Sequence, residues 1–267
     1  MQNWQTLGLL LAREPAVLVT VARVQGSGPR EQGAWMAVGA ASLLGTIGGG
    51  QLEFDAIAQA RAALASGAVA EPLRRFALGP SLGQCCGGVV HLRFELLGAA
   101  DIAGLRERLA PTPLMSVALF GGGHVGRAIA LVLARLPIDL HWIDSRDEIF
   151  PEALPEGVRA EHSDPVQRAV PDLAPGSRVL IMSFSHAEDL DIVAACLQRQ
   201  RERADLPFIG LIGSKSKWAS FRHRLEARGF TAEELAHITS PIGVPGIAGK
   251  QPEVIAVAVA AQLLQQH

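Results

Sequence analysis

No tyrosine occurs in the chain, and only three of its 267 residues are cysteine. The first absence removes any Tyr-x-x-x-Lys pair as an acid–base device for hydride chemistry. The second, with no C-x-x-C spacing anywhere, excludes a zinc-ribbon frame. Charge of one sign is scarce too. The formal net charge is −2 and like charges form no block, so neither nucleic acid nor a membrane surface is expected as a partner. No apolar run approaches the roughly 20 residues of a bilayer-crossing helix, and Val254–Leu264 is about half that length. The opening residues, MQNWQTLGLLLARE, lack a basic stretch ahead of their apolar run. They read as a surface helix rather than a signal peptide, and free thiols fit a cytoplasmic location. What is present is a globular composition, 49% apolar and 19% charged, long enough for two modest domains.

The first part of the chain predicts a helix from Asn3, as cap, to Arg13, then a buried strand over Ala16–Val24. A Gly/Pro loop, Gly26-Ser27-Gly28-Pro29-Arg30, leads to a hairpin of Trp35–Val38 and Leu43–Ile47. Gly48-Gly49-Gly50 then opens an Ala-rich helix to about Ser66. Strands at Pro72–Leu78 and Val89–Leu97 complete an N-terminal α+β domain over residues 1–98. A stretch with two prolines, Gly98–Pro113, holds the boundary. From residue 114 strand and helix alternate strictly: Ser116–Phe120, a helix through Leu136, Ile138–Ile143, Arg178–Phe184, a helix Glu188–Gln200, Phe208–Ile212 and a helix from about Lys217 to Gly229. The fold class is therefore α/β, an N-terminal α+β domain followed by a Rossmann-like parallel-sheet domain over 114–230. Residues 231–267 form a C-terminal loop and helix expected to pack on the domain interface.

Chemistry gathers at a few points. Cys85 and Cys86 are adjacent, flanked by Gly83, Gly87 and Gly88. Neighbouring Cα atoms lie about 3.8 Å apart, short of the roughly 4.4–6.8 Å of an unstrained disulfide. Two thiols on a flexible turn suit a soft metal or sulfur chemistry; the plain alternative is a tight turn with two small hydrophobes. Gly48, Gly49 and Gly50 at a strand-to-helix junction favour an anion, with Arg30 as a further charge; packing alone is the alternative. Gly121-Gly122-Gly123-His124-Val125-Gly126 follows a strand and opens a helix, and the next strand ends in Asp144 beside Arg146. This is the G-x-G-x-x-G context of a dinucleotide site. His186 sits at a strand's C-terminal end, where open α/β sheets place ligands, and Lys215 and Lys217 occupy the equivalent place on the next strand. Cys196, among Ile192, Val193 and Leu197, reads as core. Gly249-Lys250 does not make a Walker A loop, since Val244 and Gln251 stand where Gly and Ser/Thr are needed.

Five stretches in this order, Gly26–Arg30, Gly45–Glu53, Gly83–Gly88, Phe120–Gly126 and Pro241–Gly243 with Gly249–Ala256, resemble the xanthine dehydrogenase accessory protein family. The likeness runs from about residue 16 to residue 264. It implies a homodimeric chaperone without turnover that binds the molybdenum cofactor (molybdopterin) and protects it from oxidation. It also implies sulfuration with a cysteine desulfurase and delivery to a molybdenum hydroxylase of the xanthine dehydrogenase type. On this resemblance Cys85 and Cys86 are metal ligands. Arg30, Gly48, Gly49, Gly50, Gly121, Gly123, His124, Gly126, Asp144, His186 and Lys215 join them around the cofactor. Two departures stand out. Gln51 replaces a cysteine that many relatives carry, which shifts weight to Cys85 and Cys86. Gly122 replaces a frequent alanine, a change that reads as too mild to matter. The rival expectation is an NAD(P)-dependent oxidoreductase with a reactive cysteine pair, for which His186 with Asp189 is the best acid–base pair. Thiol–disulfide exchange is weakened by the adjacent-cysteine geometry.

Overall fold

The structure, a computed structural model, describes residues 4–79, 87–109, 113–155 and 157–266. The chain divides into two compact units, residues 1–111 and 112–267.

In the first unit, α1 (Trp4–Leu11) precedes β1 (Ala16–Gln25), β2 (Trp35–Val38) and β3 (Leu43–Gly45). Then come α2 (Gly50–Ser66), β4 (Leu73–Ala77), β5 (Val89–Leu97), a 3₁₀ segment Ala99–Gly104 and α3 (Leu105–Leu109). The five strands form one antiparallel sheet ordered β3-β2-β1-β5-β4. The unbroken apolar run at the start of β1 follows from burial on both faces. Val17, Val19 and Val21 join the cluster under α2, with Leu52, Ala56 and Ala60. Ala16 and Leu18 turn the other way, against Leu7 and Leu11 of α1 and Leu105 of α3. Each large side chain so buried contributes about 1.5–3 kcal/mol. Asn3, the expected helix cap, lies outside the described residues.

The second unit runs β6 (Met115–Phe120), α4 (His124–Leu133), β7 (Ile138–Asp144), β8 (Val158–His162), β9 (Arg178–Ile181) and α5 (His186–Arg203). It continues through β10 (Phe208–Leu211), α6 (Lys215–Ala227), α7 (Ala232–Leu235), β11 (Ile238–Thr239) and α8 (Pro252–Gln265). All its strand pairings are parallel, in the order β11-β10-β9-β6-β7-β8. The order reverses between β6 and β9, and a doubly wound sheet opens its ligand crevice at the carboxyl ends of such a pair. One face is covered by α5 and its neighbours, where Cys196 is fully buried. The other is covered by α4 and α8, and α8, expected at the domain interface, supplies Ala256, Val259, Ala260 and Leu263 to this unit's own core. β9 stops at Ile181 rather than Phe184 because Ser185 begins the next helix, its Oγ accepting the Glu188 N–H at 3.2 Å. Among the described residues no helix is long and apolar enough to cross a membrane.

Candidate functional site

In the first unit three of the glycine stretches meet at one end of the sheet. A Cβ on Gly48, whose φ is +119°, would fall 2.5 Å from Pro29 Cβ, so only glycine lets this turn lie on the Gly26–Arg30 loop. A Cβ on Gly88 would fall 2.2 Å from the Ser27 carbonyl oxygen. Gly88 follows Cys85 and Cys86 in the chain, and its carbonyl accepts the Leu78 N–H at 2.8 Å. Cys85 and Cys86 themselves lie outside the described residues.

The anion expected at Gly48–Gly50 is the chain's own. Glu53 Oε2 accepts from Thr46 Oγ1 at 2.5 Å, Ile47 N at 2.9 Å and Gly49 N at 3.1 Å, while Gly48 N donates to Thr46 Oγ1. Burial pushes the Glu53 carboxyl up, but these hydrogen bonds outweigh it and hold it below the ordinary glutamate value. The expectation of an external ligand on the Gly48 and Gly49 amides is therefore corrected, because Thr46 Oγ1 already takes the first and Glu53 the second. Arg30 pairs with its neighbour Glu31 at 2.7 Å, an exposed pair of little energetic weight.

In the second unit the three glycines of the G-x-G-x-x-G turn differ in what surrounds them. A Cβ on Gly121 would fall 2.0 Å from Met182 O, and one on Gly126 would fall 1.9 Å from Gly121 O. Both let backbones touch. Gly123 meets nothing within 4 Å and opens on a crevice of about 380 Å³ lined also by His124, Ser183, Phe184, His186 and Lys217. That volume lies in the ordinary range for small-molecule sites. His124 and His186 are exposed at the starts of α4 and α5. Lys215, expected here, begins α6 outside the crevice lining, and Lys217 takes its place.

Lys217 Nζ lies 2.5 Å from Asp189 Oδ2 and 2.9 Å from Ile212 O. Asp189 Oδ1 accepts from both N and Oγ of Ser183 at 2.7 Å. Asp189 is thus committed to Ser183 and Lys217, and His186 packs edge-on to Phe221 at 6.2 Å. The His186–Asp189 acid–base pair that an oxidoreductase was expected to use is not formed.

Asp144 is also committed. It is 2% exposed. Its Oδ2 accepts Gly122 N–H at 2.6 Å, and Arg146 donates to it through Nε, Nη2 and its own amide at 2.9 Å each. Burial pushes this carboxyl up, but the hydrogen bonds from Arg146 and the two amides outweigh it and hold it below the ordinary aspartate value. Asp144, expected among the cofactor-binding residues, therefore closes the turn instead. Nor is Gly122 a neutral departure: a Cβ there would fall 2.6 Å from Ile149 Cγ1 and 2.8 Å from its Cγ2, so alanine fits only if Ile149 shifts. A carboxyl lowered in the folded state adds stability in full above its unfolded value of about 4, and the gain is lost as pH falls through the folded value. Asp144→Asn is expected to cost roughly 2 kcal/mol at neutral pH and to flatten the acid side of a melting-temperature–pH curve. An acid limb as steep as the wild type's contradicts this assignment.

Cys196 is shut out of the chemistry. Burial pushes its thiol up to about 12, so a thiol reagent is expected to leave it untouched until the chain is unfolded. Fast labelling of the native protein lacking Cys85 and Cys86 would contradict that.

Comparison with known proteins adds three findings. The family model described as the XdhC Rossmann domain matches residues 117–263, and the one described as the XdhC and CoxI family matches residues 9–77. An uncharacterised protein of Escherichia coli K12, YqeB, is 28% identical over 256 residues, covering 94% of this chain and 43% of that protein. The chain thus spans less than half the length of this relative. A crystal structure from Bacillus halodurans, described as a xanthine dehydrogenase, superposes with a TM-score of 0.74 at 19% identity. That superposition covers 100% of this chain and 96% of the other and is a likeness of fold.

Proposed function

Since the chain belongs to the XdhC family, we propose that it is an accessory protein to a molybdenum hydroxylase of the xanthine dehydrogenase type. Its cargo is the molybdenum cofactor, which it shields from oxidation, presents for sulfuration by a cysteine desulfurase and passes to the apo-hydroxylase. It works as a homodimer in the cytoplasm. The observation that carries the reading is the asymmetry of the Rossmann turn. Its phosphate end stays open at Gly123, while its ribose end is closed by Asp144, Arg146 and Ile149. A pterin phosphate needs the first and has no use for the second; a nicotinamide dinucleotide needs both. This fit favours the cargo reading over an NAD(P)-dependent dehydrogenase.

In this reading the amides opening α4 and the Lys217 ammonium face the phosphate, with His124 and His186 beside it. For molybdenum, Cys85 and Cys86 are the soft donors of this chain, a role for which thiolates are suited and hydroxyls are not. The test is transfer. Protein loaded with cofactor, mixed with an apo-hydroxylase, is expected to restore hydroxylase activity faster than the same amount of free cofactor, and further when a cysteine desulfurase and cysteine are added. No gain over free cofactor removes the delivery role.

A further inference from the structure

Phe184 stands in the crevice lining with 67% of its surface exposed. It is braced nonetheless. Its N–H donates to Glu188 Oε2 at 3.1 Å, and Glu188 Oε1 is held in turn by Ser145 Oγ at 2.7 Å. The Arg146 guanidinium lies 4.6 Å from the ring centroid, and Arg146 is itself pinned by the buried Asp144. An aromatic ring kept in water by a chain of polar contacts running back to a buried carboxylate adds nothing to the core. It is the arrangement of a recognition surface, because a fixed ring loses little freedom on binding and its π-face accepts a flat partner.

We propose that Phe184 is the stacking platform for a planar heteroaromatic ring whose attached phosphate lies at the Gly123–His124 turn. The inference rests on the crevice being the ligand site, as in the function proposed above. It adds the part of the ligand that Phe184 reads: a flat nitrogen heterocycle, with Lys217, His124 and His186 lining the same cavity. Because Phe184 is exposed, its replacements fold as the wild type does.

Titration calorimetry with three probes tests this: a reduced pterin phosphate, adenosine 5′-monophosphate and inorganic phosphate, against wild type, Phe184→Ala, Phe184→Leu and Phe184→Tyr. The expected result is that wild type binds the pterin phosphate and that Phe184→Ala and Phe184→Leu bind it about ten- to a hundredfold more weakly. Phe184→Tyr restores affinity, and binding of inorganic phosphate does not change across the series. Binding of the adenosine nucleotide alone, with the same dependence on Phe184, supports the platform and overturns the molybdopterin cargo. Pterin phosphate binding that Phe184→Ala leaves unchanged, or weakens no more than it weakens inorganic phosphate, overturns the platform and leaves the cargo standing. No binding of either ring phosphate by wild type overturns both.

Discussion

Replacing Cys85 and Cys86 together by Ser is expected to strip molybdenum from protein purified without oxygen, by more than about a hundredfold relative to wild type. Loss of outer partners to a metal already costs roughly 10–100-fold, and here the donor atoms themselves would go. A serine hydroxyl stays protonated at neutral pH and is a hard donor, so it cannot stand in for a thiolate beside a soft centre. Cys196 cannot substitute either, being fully buried with its thiol pushed up to about 12. The fold should not feel the change. The β4–β5 ladder is held by its own pairing, by the Leu78 N–H to Gly88 O bond and by the close fit of Gly88 against Ser27, none of which involves a cysteine side chain. An unchanged melting temperature with lost molybdenum identifies the pair as ligands, and the single replacements then divide the effect between them. Unaltered molybdenum stoichiometry in the double variant contradicts the assignment.

The second large effect is on stability, and it separates three glycines of one motif. Gly126→Ala would force a methyl to within 1.9 Å of Gly121 O. Backbone is what it meets, so neither side can turn away, and the change is expected to cost at least about 3 kcal/mol or to prevent the second unit from folding. Gly122→Ala meets the Cγ1 and Cγ2 atoms of Ile149, a side chain that can shift where backbone cannot, and its cost should be about 1–2 kcal/mol. Gly123→Ala meets nothing, and its φ of −64° suits any residue, so stability should stay within about 0.5 kcal/mol. Gly123→Val should likewise fold while blocking phosphate at the crevice. Urea unfolding ranks the three alanine variants and phosphate binding reads the valine. Equal stabilities for Gly126→Ala and Gly123→Ala would contradict the packing, and normal phosphate binding by Gly123→Val would place the anion elsewhere.

The turn at Gly121–Gly126 was legible because its spacing, the strand before it and the helix after it are all local properties of the chain. The same holds for β1, whose apolar run announces burial on both faces, and for α2, whose Ala-rich stretch begins at three glycines. What escaped reading depended on distance partners or on very short elements. β8 (VRAEH) and β11 (Ile238–Thr239) are edge strands with too few apolar residues to signal themselves. Asp144 looks in sequence like the free acid of a dinucleotide site; only the fold of the turn shows that Arg146, two residues on, and Gly122 consume it. The exchange of Lys215 for Lys217 is a matter of helix phase. Ser214 caps α6 by accepting the Lys217 N–H, which sets the turn so that the later lysine swings toward Asp189. The capture of the Gly49 amide by Glu53 had a signal, an acid in the first turn of the helix, and its meaning was hidden behind the more conspicuous glycines.

Metal and pterin analysis of the protein purified from its own cells without oxygen bears most directly on whether it carries a molybdenum cofactor. Molybdenum and a phosphorylated pterin in a one-to-one ratio, both lost from the Cys85/Cys86 double variant, are what the proposed function requires. Protein that holds a nicotinamide nucleotide and neither molybdenum nor pterin would contradict it.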